Sequence, residues 1–185
     1  SFVVTTELQF YYVLTSPFLA NIGVPEARIP AYMTLAQFAE IFVMALALPL
    51  VLPRLGIRKT LAIGVIAWPI RYVIFAIGSP VWLVIASLTL HGFCYVFFFT
   101  VSQVYVDKVA PRDIRASAQS LLSLITLGIG SYLGSLFCGW VKDYFTTGSG
   151  KEAVTNWQMV FVIPIALTVA CAIAFLLFFK EREAA

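Results

Sequence analysis

The chain has 185 residues, of which 61% are hydrophobic and only 11% are charged, and its net charge is +3. A soluble domain has about 25% charged residues, so this composition excludes a water-soluble protein and indicates an integral membrane protein or a piece of one. The positive charge is too small and too scattered for binding to nucleic acid. A single histidine excludes a site in which several histidines bind a metal ion.

Six segments, taken in chain order, are long and apolar enough to cross a membrane as helices. About 20 apolar residues are needed to span the hydrocarbon core, and the continuous runs argue against alternating membrane strands. The predicted spans are residues 2–19, 31–52, 60–77, 81–106, 116–140 and 157–179. Because the chain begins with Ser1 and has no basic segment before the first span, no signal peptide is visible, and we expect a piece of a longer protein.

Basic residues between the spans predict the orientation, since Lys and Arg are enriched on the cytoplasmic side of membrane proteins. Eight of them fall on one side and three on the other. The first group comprises Arg54, Arg58, Lys59, Lys108, Arg112, Arg115, Lys180 and Arg182, and the second comprises Arg28, Lys142 and Lys151. We therefore expect the second–third loop, the fourth–fifth loop and the C-terminus to be cytoplasmic.

Glu40 lies near the middle of the second predicted span, where a charged group is costly and is therefore a candidate for function. Thr34, Gln37 and Glu40 are spaced three residues apart, which puts them on one face of the helix. Such a face suits a water-filled cavity, and the carboxyl group suits a proton carrier. The alternative is a structural ion pair with Arg71, whose depth in the third span matches that of Glu40.

Arg71 and His91 are further ionisable residues inside predicted spans. Arg71 lies close enough to the outer end of its span to reach the surface, so we expect a structural role for it. His91 lies near the middle of the fourth span, beside Gly92 and with Tyr95 one turn later on the same face. It is expected either to bond to a neighbouring helix or to line a substrate site. Imidazole titrates near neutral pH, which suits proton coupling.

Two other patterns concern the first and fifth spans. Gln9 and Tyr12, three residues apart, form a polar pair on one face of the first span. In the fifth span Gly130 and Gly134 form a GxxxG motif, which predicts close packing against another helix. The sequence contains no Ser/His/Asp set, no HExxH motif and no CxxC pair, so we expect no enzymatic activity, no cofactor, no bound metal and no disulfide framework.

Two groups of motifs resemble known transporters. The segment LPRLGIRK at 52–59 resembles the cytoplasmic R-x-G-x-R-K loop of the major facilitator superfamily, with Pro53 where the stronger form of that motif has Asp. The segments VYVDK at 104–108, IRASAQ at 114–119 and NWQ at 156–158, together with the glycines of the fifth span, resemble the nucleoside:proton symporter family. The resemblance runs from residue 34 to residue 180.

The resemblance implies an all-α, polytopic membrane protein whose six transmembrane helices form the C-terminal half of a major facilitator superfamily transporter. Residues 1–185 are then one bundle, and the N-terminal half is absent. The implied function is proton-coupled nucleoside uptake across the cytoplasmic (inner) membrane by alternating access. The implied partners are nucleosides, protons, the lipid bilayer and the missing six-helix half.

The resemblance also implies roles for individual residues. Gln37 and Glu40 match the family's Q-x-x-E pair, which contacts the nucleoside. Gln9 falls where the family has a binding Gln, His91 where it has a binding Tyr, and Tyr95 where it has a binding Phe. The amide of a Gln side chain offers both a donor and an acceptor to a base or a ribose, so Gln9 and Gln37 suit a nucleoside.

Two positions depart from the family pattern. Tyr12 falls where the family has a binding Asn, and Val96 falls where permeases of the family have Asp. Glu40 then remains the main acidic group near the midplane, and we expect Glu40 and His91 to serve proton coupling. The departures leave open a transporter of the same superfamily for another small solute, such as a sugar or a drug. A membrane-embedded enzyme and a non-transporting scaffold or receptor are the remaining alternatives.

Overall fold

The computed structural model describes residues 2–179, and this part of the chain is almost entirely helical. It contains nine α-helices, which are α1 (Phe2–Asn21), α2 (Ile29–Phe42), α3 (Leu48–Ile77), α4 (Val81–Ser87), α5 (Leu90–Tyr95), α6 (Val101–Val109), α7 (Arg115–Ser123), α8 (Ser131–Tyr144) and α9 (Trp157–Phe178). Lys180 and Arg182, which contributed to the predicted orientation, lie outside the described residues, as does the side chain of Lys151.

Short segments of other geometry join these helices. The π-helical turns Val43–Ala47, Val96–Thr100 and Leu124–Gly130 continue α2 into α3, α5 into α6 and α7 into α8. The 3-10 turns are Glu26–Arg28 and Gly150–Glu152, and the strands β1 (Thr146–Thr147) and β2 (Val154–Thr155) pair antiparallel in the loop between α8 and α9. Since the strands have only two residues each, the predicted all-α class is confirmed.

Four continuous helical stretches among the described residues are long and apolar enough to cross a membrane, namely Glu26–Ile77, Val81–Val109, Arg115–Tyr144 and Trp157–Phe178. The first has 52 residues, which at about 1.5 Å per residue is more than twice the thickness of the hydrocarbon core. Gly56 interrupts this stretch, because its φ of 75° lies in the left-handed region that favours glycine. The stretch is therefore divided into two parts, each long enough to span the core.

Aromatic rings fill the core between α1, α3 and α9. The α3–α9 pair forms the most extensive helix contact, and α1 packs against α8. Phe161 of α9 lies in the middle, with its ring centroid 4.9 Å from that of Phe18 and 5.2 Å from that of Phe75. Edge-on and tilted aromatic pairs at such distances are favourable beyond the area that they bury, so these rings hold the three helices together.

Gly130, which directly precedes α8, and Gly134 of α8 allow α1 to approach closely. A Cβ atom at Gly134 would lie 2.8 Å from the Cα atom of Thr6, and one at Gly130 would lie 3.1 Å from the Cβ atom of Thr5. These distances leave no room for a larger residue at Gly134. The predicted close packing at the GxxxG motif is confirmed, and the partner helix is α1.

Large apolar side chains cover the outside of the bundle. Phe38, Trp82 and Trp140 are 68%, 69% and 62% exposed, respectively. Soluble proteins rarely expose large contiguous apolar surfaces, whereas lipid tails are as apolar as these side chains. The surface therefore suits a helical bundle surrounded by a bilayer.

Candidate functional site

Three ionisable side chains from three helices form a continuous cluster inside the bundle. His91 of α5 lies in the middle, with its Nε2 atom 3.0 Å from Oε1 of Glu40 on α2 and its Nδ1 atom 2.8 Å from Nη1 of Arg71 on α3. His91 and Arg71 are completely buried, whereas the Glu40 side chain is 21% exposed. The Arg71 end of the cluster is therefore sealed inside the bundle, and the Glu40 end is accessible from the surface of the bundle.

Aromatic rings surround the imidazole of His91. Tyr11 stacks on it with 4.2 Å between ring centroids, and the centroids of Tyr12 and Tyr95 lie 5.7 Å and 5.9 Å away. Tyr12 is 44% exposed, so its ring borders the accessible side of the cluster. Aromatic faces at such a border can also stack on a planar ligand.

Arg71 does not reach the outer surface, and the expectation that it does so is wrong. Its guanidinium carbon lies 4.6 Å from the centre of the Tyr11 ring and 4.7 Å from that of Trp68. Its Nη2 atom donates a hydrogen bond of 3.4 Å to the Tyr72 hydroxyl. Cation–π contacts and hydrogen bonds offset part of the cost of burying a charge, which explains why the side chain stays inside.

The expected pairing of Glu40 with Arg71 takes an indirect form. In the described part of the chain, the Glu40 carboxyl group contacts one ring nitrogen of His91, and Arg71 bonds to the other ring nitrogen of the same histidine. The matched depth of the two charged residues therefore pointed to a shared cluster. The residue between them could not be deduced from depth alone.

Gly92 brings the backbone of α5 against that of α2. A Cβ atom at Gly92 would lie 2.6 Å from the carbonyl carbon of Ala39 and 2.9 Å from the amide nitrogen of Glu40. A side chain at this position would separate the two helices, and with them His91 and Glu40. The π-helical turn Val96–Thr100 begins directly after Tyr95, and such turns are frequent at functional sites.

The structure brings four of the six predicted site residues together. These four are Tyr12, Glu40, His91 and Tyr95. Gln37 lies on an exposed part of α2, one turn before Glu40. Gln9 is buried and is turned towards α8, where Ser135 Oγ donates a hydrogen bond of 3.2 Å to its Oε1 atom.

Three aromatic residues that contact the cluster, Tyr11, Trp68 and Tyr72, were not singled out from the sequence. Tyr11 directly precedes Tyr12, and Trp68 lies one helical turn before Arg71. Aromatic residues at helical spacing from a charged residue were the available signal. That pattern is common in packed cores, so it did not distinguish these rings from ordinary packing.

The chemistry available at this site is hydrogen bonding and proton exchange. The Glu40 carboxyl group is the accessible member of the cluster, and it can accept a proton or hydrogen bonds from hydroxyl groups. Within the described residues, no group of three or more His, Cys, Asp or Glu side chains is placed to hold a metal ion.

Comparison with known proteins gives consistent matches over nearly the whole chain. The sequence model of the nucleoside H+ symporter family matches residues 1–184. YegT of Escherichia coli (strain K12) is 35% identical over 190 residues, covering 99% of this chain and 44% of its own length. The nucleoside permease NupG of the same organism is 33% identical over 155 residues, covering 82% of this chain and 36% of its own.

A solved structure gives the same result. The crystal structure of a mutant of the nucleoside transporter NupG matches with a TM-score of 0.85 and 30% identity, over 97% of this chain and 46% of that one. The match confirms the predicted fold class, a polytopic all-α bundle of the major facilitator superfamily. The chain spans less than half the length of these relatives. The relatives are transporters and not enzymes, which agrees with the expectation of no enzymatic activity. Because the family model covers residues 1–184, the chain belongs to the nucleoside H+ symporter family.

Proposed function

We propose that the protein containing this chain takes up nucleosides together with protons across the cytoplasmic membrane by alternating access. Membership of the nucleoside H+ symporter family supports this function. The observation that carries it is the partly exposed Glu40 carboxyl group beside the buried His91. In this proposal, residues 1–185 form the C-terminal six-helix half. An N-terminal half supplies the opposite wall, since substrate sites of such transporters lie between repeats near the midplane.

Substrate binding is assigned to the six residues Gln9, Tyr12, Gln37, Glu40, His91 and Tyr95. The exposed ring of Tyr12 offers an aromatic face to a nucleobase. The amide of Gln37 offers a donor and an acceptor to the base or the ribose. Ser135 already bonds to the Oε1 atom of Gln9, so Gln9 contacts the substrate through its amide nitrogen.

Proton coupling is assigned to Glu40 and His91. A proton on Glu40 neutralises the carboxylate that lies 3.0 Å from His91, and the neutral carboxyl group can then both donate and accept hydrogen bonds with the nucleoside. When the proton and the nucleoside favour the same conformation, each raises the affinity for the other by the same factor. Symport requires this linkage.

The same proposal includes a cytoplasmic C-terminus. The enrichment of Lys and Arg on that side of the predicted spans favours it. Arg58, two residues after the break at Gly56, donates a hydrogen bond of 3.0 Å to the carbonyl oxygen of Leu176 near the end of α9. This contact supports a common side of the membrane for the second–third loop and the C-terminus.

The test is uptake of labelled uridine by the full-length protein in proteoliposomes, with and without an inward proton gradient. Glu40→Gln keeps a polar side chain of similar size but cannot bind and release a proton, so we expect the stimulation of uptake by the gradient to disappear. Glu26→Gln makes the same change at an exposed position outside the predicted spans and serves as the matched control. We expect the control variant to keep the stimulation.

Two results would contradict parts of this proposal. Full gradient-driven uptake by Glu40→Gln would exclude Glu40 as the proton carrier and direct the same test to His91→Gln. Failure of the wild type to take up uridine and a panel of other nucleosides would favour a transporter of another small solute. Tyr12 and Val96 depart from the family pattern, and these departures are the reason for that second candidate function.

A further inference from the structure

Arg71 carries a charge in a completely buried position, and within the described residues no carboxylate pairs with it directly. Its guanidinium lies against the rings of Tyr11, Trp68 and Tyr72 at 4.6, 4.7 and 5.0 Å. In the same part of the chain its Nε atom has no hydrogen-bond partner. A buried charge is costly unless it is compensated. Through His91, Arg71 is connected to the Glu40 carboxyl group.

The contact with Arg71 determines where the imidazole carries its hydrogen. A guanidinium group can only donate hydrogen bonds, so Nδ1 of His91, 2.8 Å from Nη1 of Arg71, must be the acceptor. The ring hydrogen then lies on Nε2, which is 3.0 Å from Oε1 of Glu40. A doubly protonated imidazole would place a second hydrogen on Nδ1, opposite the N–H group of Arg71, and this contact would be lost.

Two aromatic rings hold the guanidinium and the imidazole in a constant relation to each other. Tyr11 stacks on His91 at 4.2 Å with 21° between the ring planes, and the same ring lies under Arg71 at 4.6 Å. Trp68 contacts Arg71 at 4.7 Å and meets His91 edge-on at 6.4 Å. The imidazole therefore has little freedom to turn away from Arg71.

The titratable neighbours of this pair contain one anionic group. In the described part of the chain, the titratable side chains near His91 or Arg71 include Tyr11 and Tyr12 of α1, Glu40 of α2, Tyr72 of α3, and Cys94 and Tyr95 of α5. Tyrosine and cysteine side chains are ordinarily neutral at pH 7. Glu40 is therefore the group whose proton changes the net charge of the cluster.

We propose that Arg71 is a positioning residue of the proton-coupling site, which holds His91 as the neutral Nε2–H tautomer and so keeps the ring hydrogen on the nitrogen nearer to the Glu40 carboxyl group. The proposal rests on the proposed function and deepens it. The transported proton binds to Glu40, and His91 lies between this carboxyl group and Arg71. Arg71 supplies the positive charge that attracts the carboxylate once the proton has left.

The direct test is nitrogen-15 NMR of the full-length protein labelled at histidine, because the ring nitrogens report the tautomer. The signals of His91 are identified by their loss in His91→Asn. We expect the Nε2–H tautomer in the wild type and in Arg71→Lys, since Lys also donates to Nδ1. Arg71→Met has a side chain of similar length without a donor, and we expect it to populate the Nδ1–H tautomer or the imidazolium.

Phe75→Leu is the matched control for loss of packing. Phe75 lies one turn after Arg71 on α3 and is equally buried, and its change leaves the donor to His91 in place. We expect Phe75→Leu to keep the Nε2–H tautomer. An unchanged tautomer in folded Arg71→Met, or an equal change in both variants, would overturn the proposal. If Arg71→Met does not fold, the tautomer of His91 in the wild-type protein is the deciding measurement. An Nδ1–H tautomer or an imidazolium in the wild type also overturns the proposal.

Uptake measurements separate this proposal from the proposed function. We expect gradient-stimulated uridine uptake to fall by about tenfold or more in Arg71→Met, as a charge-assisted hydrogen bond is lost, and to be largely kept in Arg71→Lys. A tautomer that depends on Arg71 in a protein without nucleoside uptake would refute the proposed function alone. Gradient-driven uptake in a protein whose tautomer does not depend on Arg71 would refute the positioning role alone.

Discussion

Two completely buried ionisable side chains, Arg71 and Glu7, are accommodated very differently in this bundle. Arg71 bonds to His91 and lies against three aromatic rings. Neither carboxyl oxygen of Glu7 has a hydrogen-bond partner among residues 2–179, although its backbone carbonyl accepts a hydrogen bond from the Tyr72 hydroxyl. A buried polar group without a partner costs about 1–3 kcal/mol, so Glu7 is a destabilising residue.

We therefore expect Glu7→Met to raise the free energy of unfolding by about 1–3 kcal/mol, because it removes an unpaired polar group and keeps a long side chain. Thermal unfolding of the purified protein in detergent measures the change. Glu26→Met, at an exposed position, is the control and is expected to change stability by less than about 0.5 kcal/mol. A lower melting temperature for Glu7→Met would mean that the carboxyl group makes a contact worth more than its burial costs.

At the scale of helices, glycine decides how closely two backbones approach. Gly92 brings α5 against α2, and Gly134 brings α8 against α1. The first of these approaches sets the distance of 3.0 Å between His91 and Glu40. The second leaves Gln9 beside Ser135. The geometry of the site thus depends on helix packing as well as on the residues that form it.

Gly92→Ala is the substitution that tests this dependence. Its added methyl group would lie 2.6 Å from backbone atoms of Ala39, so α5 must move away from α2, and we expect a loss of about 1–3 kcal/mol of stability. The movement also separates His91 from Glu40. Thermal unfolding and gradient-driven uridine uptake of the same variant should therefore both decrease.

Gly139→Ala provides the control for Gly92→Ala. Gly139 also lies inside a helix, but a Cβ atom there meets nothing within 4 Å among the described residues. Alanine has the higher helix propensity, so Gly139→Ala should be neutral or stabilising by up to about 1 kcal/mol. Equal melting temperatures for the two variants would show that the α2–α5 approach is softer than the distances indicate.

At the scale of the whole molecule, contacts between distant segments relate the loops to the chain end. Arg58 and Leu176 are 118 residues apart in sequence, and their hydrogen bond joins the start of the third predicted span to the end of α9. Arg115 and Asp107 form an exposed ion pair of 3.5 Å across the loop between α6 and α7. An exposed pair of this kind adds little stability, so the first contact carries more weight for the arrangement of the ends.

The proposed orientation predicts which loops react with a reagent that cannot cross the membrane. In a full-length protein without other cysteines, Ser149→Cys lies in the exposed loop between α8 and α9, and Asp113→Cys lies in the exposed loop between α6 and α7. We expect an impermeant maleimide to label Ser149→Cys on intact cells, and Asp113→Cys only after permeabilisation. The reverse pattern would contradict the cytoplasmic C-terminus.

Apolar composition along the chain was sufficient to predict a polytopic all-α protein, because the cost of placing backbone and charged groups in lipid depends on local sequence. The same cost identified Glu40 and His91 as candidates, since few residues of the spans are ionisable. Short motifs at 104–108 and 114–119 pointed to the family. The match of the family's sequence model to residues 1–184 confirms it. These features could be recognised without knowing which helices are neighbours.

Only the tertiary structure decided which side chains meet. His91 lies between Glu40 and Arg71, whereas Gln9 faces α8 and Gln37 lies on an exposed surface. These arrangements depend on how each helix is rotated about its axis and how closely it approaches its neighbours. Packing across the whole bundle sets both quantities, and the 3.6-residue period of a single helix contains neither.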